Sequence, residues 1–193
     1  MTTKLMIIVG SVRPGRAALP VAEWVRSVAA ADERFEIDWV DLKELGLPFM
    51  AEPSHPAKRQ YTFEHTIAWS ERVDAADAFV FVAPEYNHSY SPVLKNALDY
   101  LSQEWWRKPY LAVSYGGVSS GTRAAASLTP VTSQLGLVKT VSAVEIGMVG
   151  SHIANGVFTP TERDAAKLEL GLDELAVLAP ALAALREPAG AAL

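Results

Sequence analysis

Asp77-Ala78-Phe79-Val80-Phe81-Val82-Ala83 empties directly into Pro84-Glu85-Tyr86-Asn87-His88-Ser89-Tyr90-Ser91-Pro92, and residues of helical period follow. A short continuous apolar run bounded by turn residues reads as a strand covered on both faces, the kind that parallel sheets contain. Pro84 stiffens the strand exit. The junction therefore sets an aromatic ring, an amide and exposed backbone at the carboxyl end of a buried strand. In open α/β sheets that edge is where ligands bind.

Working outward, the same alternation repeats. Apolar runs at 4–10, 35–41, 78–84, 109–115 and 140–147 are candidate strands, and segments 18–31, 60–75, 92–104, 121–135 and 161–186 are candidate helices. Val21, Val25 and Val28 share one face of the first helix, with Trp24 beside them. Pro180 is expected to kink the last helix or to split it. Alternation of this kind indicates βαβ units. Five strands with five helices predict an α/β, three-layer flavodoxin-like fold: a parallel sheet in the order 2-1-3-4-5 with helices on both faces. Right-handed crossovers then gather the loops Gly10–Arg16, Pro84–Ser91 and Ser114–Arg123 around one crevice. The long connection Leu42–Gln60 carries Pro48, Pro53 and Pro56 and is either functional or poorly ordered. Residues 1–193 read as a single domain with a frayed tail over Pro188–Leu193.

Half of the 193 residues are hydrophobic, enough for a substantial core. A net charge of −5 argues against a generic nucleic-acid surface. The absence of cysteine excludes disulfides, thiolate metal sites and thiol catalysis, and leans towards a reducing compartment. Residues 1–10 read as a first strand rather than a signal peptide, and no apolar run approaches the ~18 residues of a membrane span. The expectation is a soluble cytoplasmic protein without nucleic-acid or membrane partners.

The first loop, Gly10-Ser11-Val12-Arg13-Pro14-Gly15-Arg16, precedes a helix. Backbone N–H groups at the helix start, the Ser11 hydroxyl and two guanidinium groups would surround a phosphate. The plainer reading is that Arg13 and Arg16 are solvated charges beside a tight turn. Neither the nucleoside-triphosphate P-loop pattern nor a Gly-x-Gly-x-x-Gly dinucleotide pattern is present. In the second loop, Tyr86 reads either as a ring-side wall or as a packed aromatic, and Asn87 either as a ligand contact or as a cap of the next helix. In the third, Gly116-Gly117 reads as a place of close backbone approach to a flat ligand, or simply as a flexible turn. His88 is a weak candidate proton donor. His55, His65 and His152 lack metal-ligand spacing.

Taken together, Pro84-Glu85-Tyr86-Asn87, Ser91-Pro92 and Lys95-Asn96-Ala97-Leu98-Asp99-Tyr100 resemble the corresponding turn and helix of the NAD(P)H-dependent FMN reductases, and Gly10-Ser11-Val12-Arg13 resembles their phosphate loop. The resemblance covers roughly residues 4–150. It implies FMN as cofactor, with NADPH or NADH as co-substrate and a quinone, flavin or similar small molecule as electron acceptor in a ping-pong cycle. Ser11 and Arg13 would hold phosphate; Arg16 fits a subset of the family. Pro84, Glu85, Tyr86 and Asn87 would address the isoalloxazine, and Ser114, Tyr115, Gly116 and Gly117 its polar edge. No residue is assigned as catalytic and none as a metal ligand. The resemblance also implies a homodimer or tetramer. The expected interface uses Trp105-Trp106 and a helix face of Leu94, Leu98 and Leu101, with the Pro53–Tyr61 loop over the partner's flavin and Tyr61 as a substrate-side wall. The rival readings are a flavodoxin-type electron carrier and a flavin-dependent redox-sensing module.

Overall fold

The computed structural model describes residues 2–186, so the tail expected at Pro188–Leu193 lies outside the described residues. Strands β1 (Thr3–Val9), β2 (Phe35–Asp41), β3 (Ala78–Pro84) and β4 (Pro109–Tyr115) fall within one residue of expectation. Every residue of β3 and β4 is buried, as a strand covered on both faces requires. Two short strands, β5 (Val138–Lys139) and β6 (Val144–Ile146), share the fifth position, each parallel to β4. The order β2-β1-β3-β4-β5 is the expected one. The continuous strand expected over 140–147 is instead broken. A Glu174 carboxylate accepts the N–H groups of Val141 at 2.6 Å and Ser142 at 2.9 Å, drawing two ladder donors onto a side chain.

The helices are α1 (Ala18–Ala30), a single turn α2 (Leu42–Leu45), α3 (Glu64–Asp74), α4 (Pro92–Asp99) and α5 (Thr122–Gln134); a hairpin of β7 (Ile153–Ala154) and β8 (Val157–Phe158) precedes α6 (Glu162–Ala183). Two are shorter than expected, for one reason. The Glu52 carboxylate takes the Thr62 and Phe63 N–H groups, so α3 starts late. The Glu104 carboxylate takes the Ser102 N–H, so the chain leaves α4 early and makes a separate 3-10 turn over Gln103–Trp105. Pro180 does not split α6. It lies on an exposed face within the last turn, where one backbone bond is forfeited and the ring has room.

Alternate residues of the sheet feed two cores. Leu5, Ile7, Val9, Val80, Val82, Leu111 and Val113 pack against α1 and α6, where Val21, Val25, Leu168, Leu172 and Leu175 are buried, with Trp24 and Val28 at the margin. Met6, Ile8, Phe79, Phe81 and Tyr110 pack against α3, α4 and α5. Each fully buried aliphatic or aromatic side chain removes apolar area worth ~1.5–3 kcal/mol from water. Leu94, Leu98 and Leu101 belong to this second core, and so does Trp105, which packs against Phe79. They cannot form the apolar part of a subunit interface as the sequence suggested, because the periodic face that carries them is the one turned to the sheet. Trp106 alone of the two tryptophans reaches the surface, at 43% exposure.

The connection after β2 is held rather than loose. Asn96 donates to the Pro48 carbonyl and accepts the Met50 N–H, the Tyr100 hydroxyl donates to the same carbonyl, and Gln103 donates to Ala57. No helix among the described residues is long and apolar enough to cross a membrane. Register aligns the strand ends that matter: Val9 pairs with Asp41 and Val82, Pro84 with Tyr115, and Tyr115 with Ile146. The loops beginning at Gly10, Glu85, Gly116 and Gly147 therefore open on one edge.

Candidate functional site

A cleft of about 300 Å³ lies on that edge, walled by Ser11, Arg13–Ala17, Pro84–Tyr86, Tyr115, Gly116 and Val149. Eight of the eleven residues singled out from the sequence line it. Asn87, Ser114 and Gly117 do not. Ser114 is buried within β4 with its hydroxyl towards the Ser120 carbonyl. Pro14 and Gly15 of the expected first loop also line the cleft, whereas Val149 lies outside the three loops read from the sequence. Gly147-Met148-Val149-Gly150 is a fourth strand exit, bracketed by glycines like the first and third, and that pattern was the signal for it.

The chain reaches this shape through close backbone contacts. A Cβ on Gly10 would stand 2.7 Å from the Val82 carbonyl oxygen, so only glycine lets β1 leave the sheet there. Gly121 has φ +76°, and a Cβ on it would meet the Tyr115 nitrogen at 2.4 Å. The loop after β4 folds back on that residue and is stitched to β6: the Gly116 N–H donates to Ile146, and the Met148 and Val149 N–H groups donate to Gly117 and Gly116.

Tyr86 to Ser89 form a tight hairpin with Asn87 and His88 both in the left-handed region. Asn and His tolerate that region better than most residues, which explains their presence at the tip. The Tyr86 N–H donates to Ser89 and the Glu85 N–H to Tyr115. The Glu85 and Tyr86 amides are thus committed within the fold. Among the described residues, the Asn87 N–H has no partner. Nor is Asn87 the helix cap. Ser91 accepts the Leu94 N–H at the start of α4 and donates to the Gly10 carbonyl, tying the first loop to the second.

The Glu85 carboxylate turns away from the cleft towards α5, where it accepts the backbone N–H of Arg123 and pairs with its guanidinium at 3.0 Å. Although burial works against its charged form, hydrogen bonds from Ser119 and Arg123 hold the Glu85 carboxyl below the usual carboxylate range. The Tyr61 hydroxyl is likewise committed within the fold, donating to Glu104 at 2.7 Å. Burial, and then that carboxylate, raise its pKa.

Ser11 is fully buried, and its hydroxyl meets the Tyr86 hydroxyl at 2.7 Å. Burial pushes the nearby Tyr115 phenol well above its ordinary pKa, and Arg16 and Arg13 pull it partly back. The Arg13 guanidinium is exposed and lies 5.7 Å from the centre of the Tyr86 ring. Arg16 is not a solvated charge. Its side chain is 9% exposed and its Nη2 pairs with the Asp41 carboxylate at the end of β2. Its Nε and Nη1 are buried without a hydrogen-bond partner among the described residues.

These orphaned donors test whether the site suits a phosphorylated cofactor. Buried N–H groups of a cation are rarely left unmatched, and an anion matches them. The start of α1 adds to the case, having neither a side-chain cap nor an acidic residue in its first turn. By contrast α2, α4 and α6 begin under Asp41, Ser91 and Thr161. Helices α3 and α5 also lack a side-chain cap at the N-cap residue, but they have Glu64 in the first turn and Glu85 on the Arg123 N–H respectively. A free helix start beside unmatched guanidinium donors fits the phosphate of FMN.

A parallel doubly wound sheet with this arrangement at its carboxyl edge defines a flavodoxin-like α/β protein with an anion-receptive first loop. Residues 3–149 match the model of the NADPH-dependent FMN reductase family, and the chain belongs to that family. An NAD(P)H-dependent FMN reductase of Schizosaccharomyces pombe is 44% identical over 123 residues, 63% of this chain and 62% of that protein. A 2-hydroxy-1,4-benzoquinone reductase of Burkholderia sp is 35% identical over 105 residues, 54% of this chain and 53% of that protein. The chain thus spans under two thirds of the length of these relatives. Among solved structures, the flavoenzyme NAD(P)H:(acceptor) oxidoreductase FerB of Paracoccus denitrificans superposes with a TM-score of 0.73, covering 93% of this chain and 98% of that one at 22% identity. That is a likeness of fold.

Proposed function

We propose that the protein is an FMN-dependent NAD(P)H oxidoreductase that reduces a quinone, a flavin or a similar planar acceptor. The observation that carries this reading is the pair of unmatched Arg16 donors beside the uncapped start of α1. Ser11, Arg13 and Arg16 would hold the phosphate, and Pro84–Asn87 with Ser114–Gly117 would border the ring, all within one FMN-binding domain. Bound FMN would supply the two-electron chemistry that links nicotinamide to acceptor. The chain's own part is to bind, orient and partly exclude water. Tyr86 is held by Ser11, the third loop is held by Glu85, and no side chain is required as a covalent nucleophile. One open face used in turn by donor and acceptor implies ping-pong kinetics.

We include a homodimer or tetramer in this reading. Exposed apolar side chains that could meet a partner are Phe49, Met50, Phe63 and Ile67, from the long connection and α3. Sedimentation velocity checks the oligomer, and a monomer at micromolar concentration would remove it. A cytoplasmic location accords with the cysteine-free composition.

The test is purification, an absorbance scan, and NADPH and NADH oxidation with a quinone. A protein that neither carries nor takes up FMN would defeat the reading. One that binds FMN without steady-state turnover would be a carrier instead.

A further inference from the structure

Arg16 and Asp41 reach each other from two adjacent strand exits. Asp41 is the last residue of β2, opposite Val9 of β1, and its side chain is 2% exposed. One carboxylate oxygen accepts the Lys43 N–H at 2.9 Å and so caps α2. The other pairs with Nη2 of Arg16. A guanidinium is planar and rigid, so fixing one end fixes the direction of its remaining donors. Nε and Nη1 are the two left unmatched, and both are buried.

We infer that Asp41 is a positioning residue of the phosphate site, holding Arg16 with Nε and Nη1 presented to the cofactor's phosphate. This inference rests on the reading that the first loop takes the phosphate of FMN. The carboxylate also supplies the counter-charge that a buried guanidinium needs before an anion arrives. Without that charge, the long side chain escapes to solvent, and phosphate binding must order it again. Ordering one rotamer-rich side chain costs roughly three- to tenfold in affinity.

Asp41→Asn removes the charge while keeping both the shape and the ability to cap α2. The apoprotein is titrated with FMN and, separately, with riboflavin, following the quenching of flavin fluorescence. The ratio of the two Kd values isolates the phosphate's contribution. In Asp41→Asn the preference for FMN, the riboflavin Kd divided by the FMN Kd, should fall roughly three- to tenfold while the riboflavin Kd is unchanged. A merely structural role would weaken both flavins alike. An unchanged or increased preference for FMN, or an equal loss for both flavins, overturns the positioning role and leaves the wild-type phosphate site standing. A wild-type protein that does not prefer FMN to riboflavin overturns the phosphate site, and the inference falls with it.

Should Asp41→Asn fail to fold, the double variant Arg16→Gln/Asp41→Asn avoids an unpaired buried charge and is compared with Arg16→Gln alone. If Asp41 acts through Arg16, the second substitution lowers the FMN preference no further. A further fall overturns the inference.

Discussion

Glu104 and Arg16 are both buried charges, and they are completed in opposite ways. Glu104 is fully buried, and its carboxylate accepts from the Tyr61 and Ser70 hydroxyls at 2.7 and 2.6 Å and from the Ser102 N–H at 3.1 Å, with Arg59 Nε at 3.2 Å. Arg16 has one partner, Asp41, and two nitrogens with none among the described residues. The first arrangement closes on itself and ties the long connection to α3 and to the turn after α4. The second is closed only when something from outside the chain joins it. Unmet hydrogen-bonding capacity on a buried cation marks the site.

If that contrast is real, damage to Glu104 should appear in stability and damage to Arg16 in binding. Glu104→Ala strands several buried donors and should cost about 3 kcal/mol in urea denaturation. The folded protein should bind FMN as before. A large loss of FMN affinity at unchanged stability would break the comparison.

Arg16→Gln should weaken FMN binding roughly ten- to hundredfold by calorimetry, the loss of a charge-assisted contact. Arg13→Ala, which removes an exposed guanidinium, should cost about tenfold at most. The reverse ranking would move the phosphate away from the buried arginine.

Lys108 sharpens the structural side. Its ammonium is buried and donates to the Val73 and Asp74 carbonyls, each at 2.8 Å, at the end of α3. Burial lowers its pKa to about 8, from the ordinary 10.5 of a lysine. Between these values the unfolded chain binds more protons than the folded one. This group therefore makes stability rise with pH across that window, by at most about 1.4 kcal/mol per unit, and contributes no slope below it. Urea midpoints from pH 7 to 10.5, compared with Lys108→Met, should show the slope in the wild type and not in the variant.

The smallest effect is expected at Gly117. Nothing lies within 4 Å of where its Cβ would be, so Gly117→Ala should change stability by under about 0.5 kcal/mol. Any loss of FMN affinity there would report a ring edge against that backbone. Gly121→Ala is the control that must destabilise, given its φ of +76°.

Much of this was legible in the sequence. β1, β3 and β4 are near-continuous apolar runs, β2 alternates apolar with acidic residues, and their order follows from alternation with helices. The first and second loops were legible as a site because they sit at the strand exits. What escaped is of one kind: carboxylates that take backbone or side-chain donors outside any periodic pattern, most of them far along the chain and Glu104 from two residues away. Glu52 delays α3, Glu104 ends α4, Glu174 breaks the fifth strand, Glu85 caps α5 and Asp41 holds Arg16. None has a local periodicity that would announce it. The leucines of α4 misled in another way, since a periodic apolar face does not say whether it meets the sheet or a partner.

A crystal structure of the protein soaked with FMN tests the central claim most directly. It should place phosphate oxygens about 2.7–2.9 Å from Nε and Nη1 of Arg16, with the Asp41 pair intact. FMN bound with its phosphate elsewhere, and the two nitrogens still unmatched, would contradict the account.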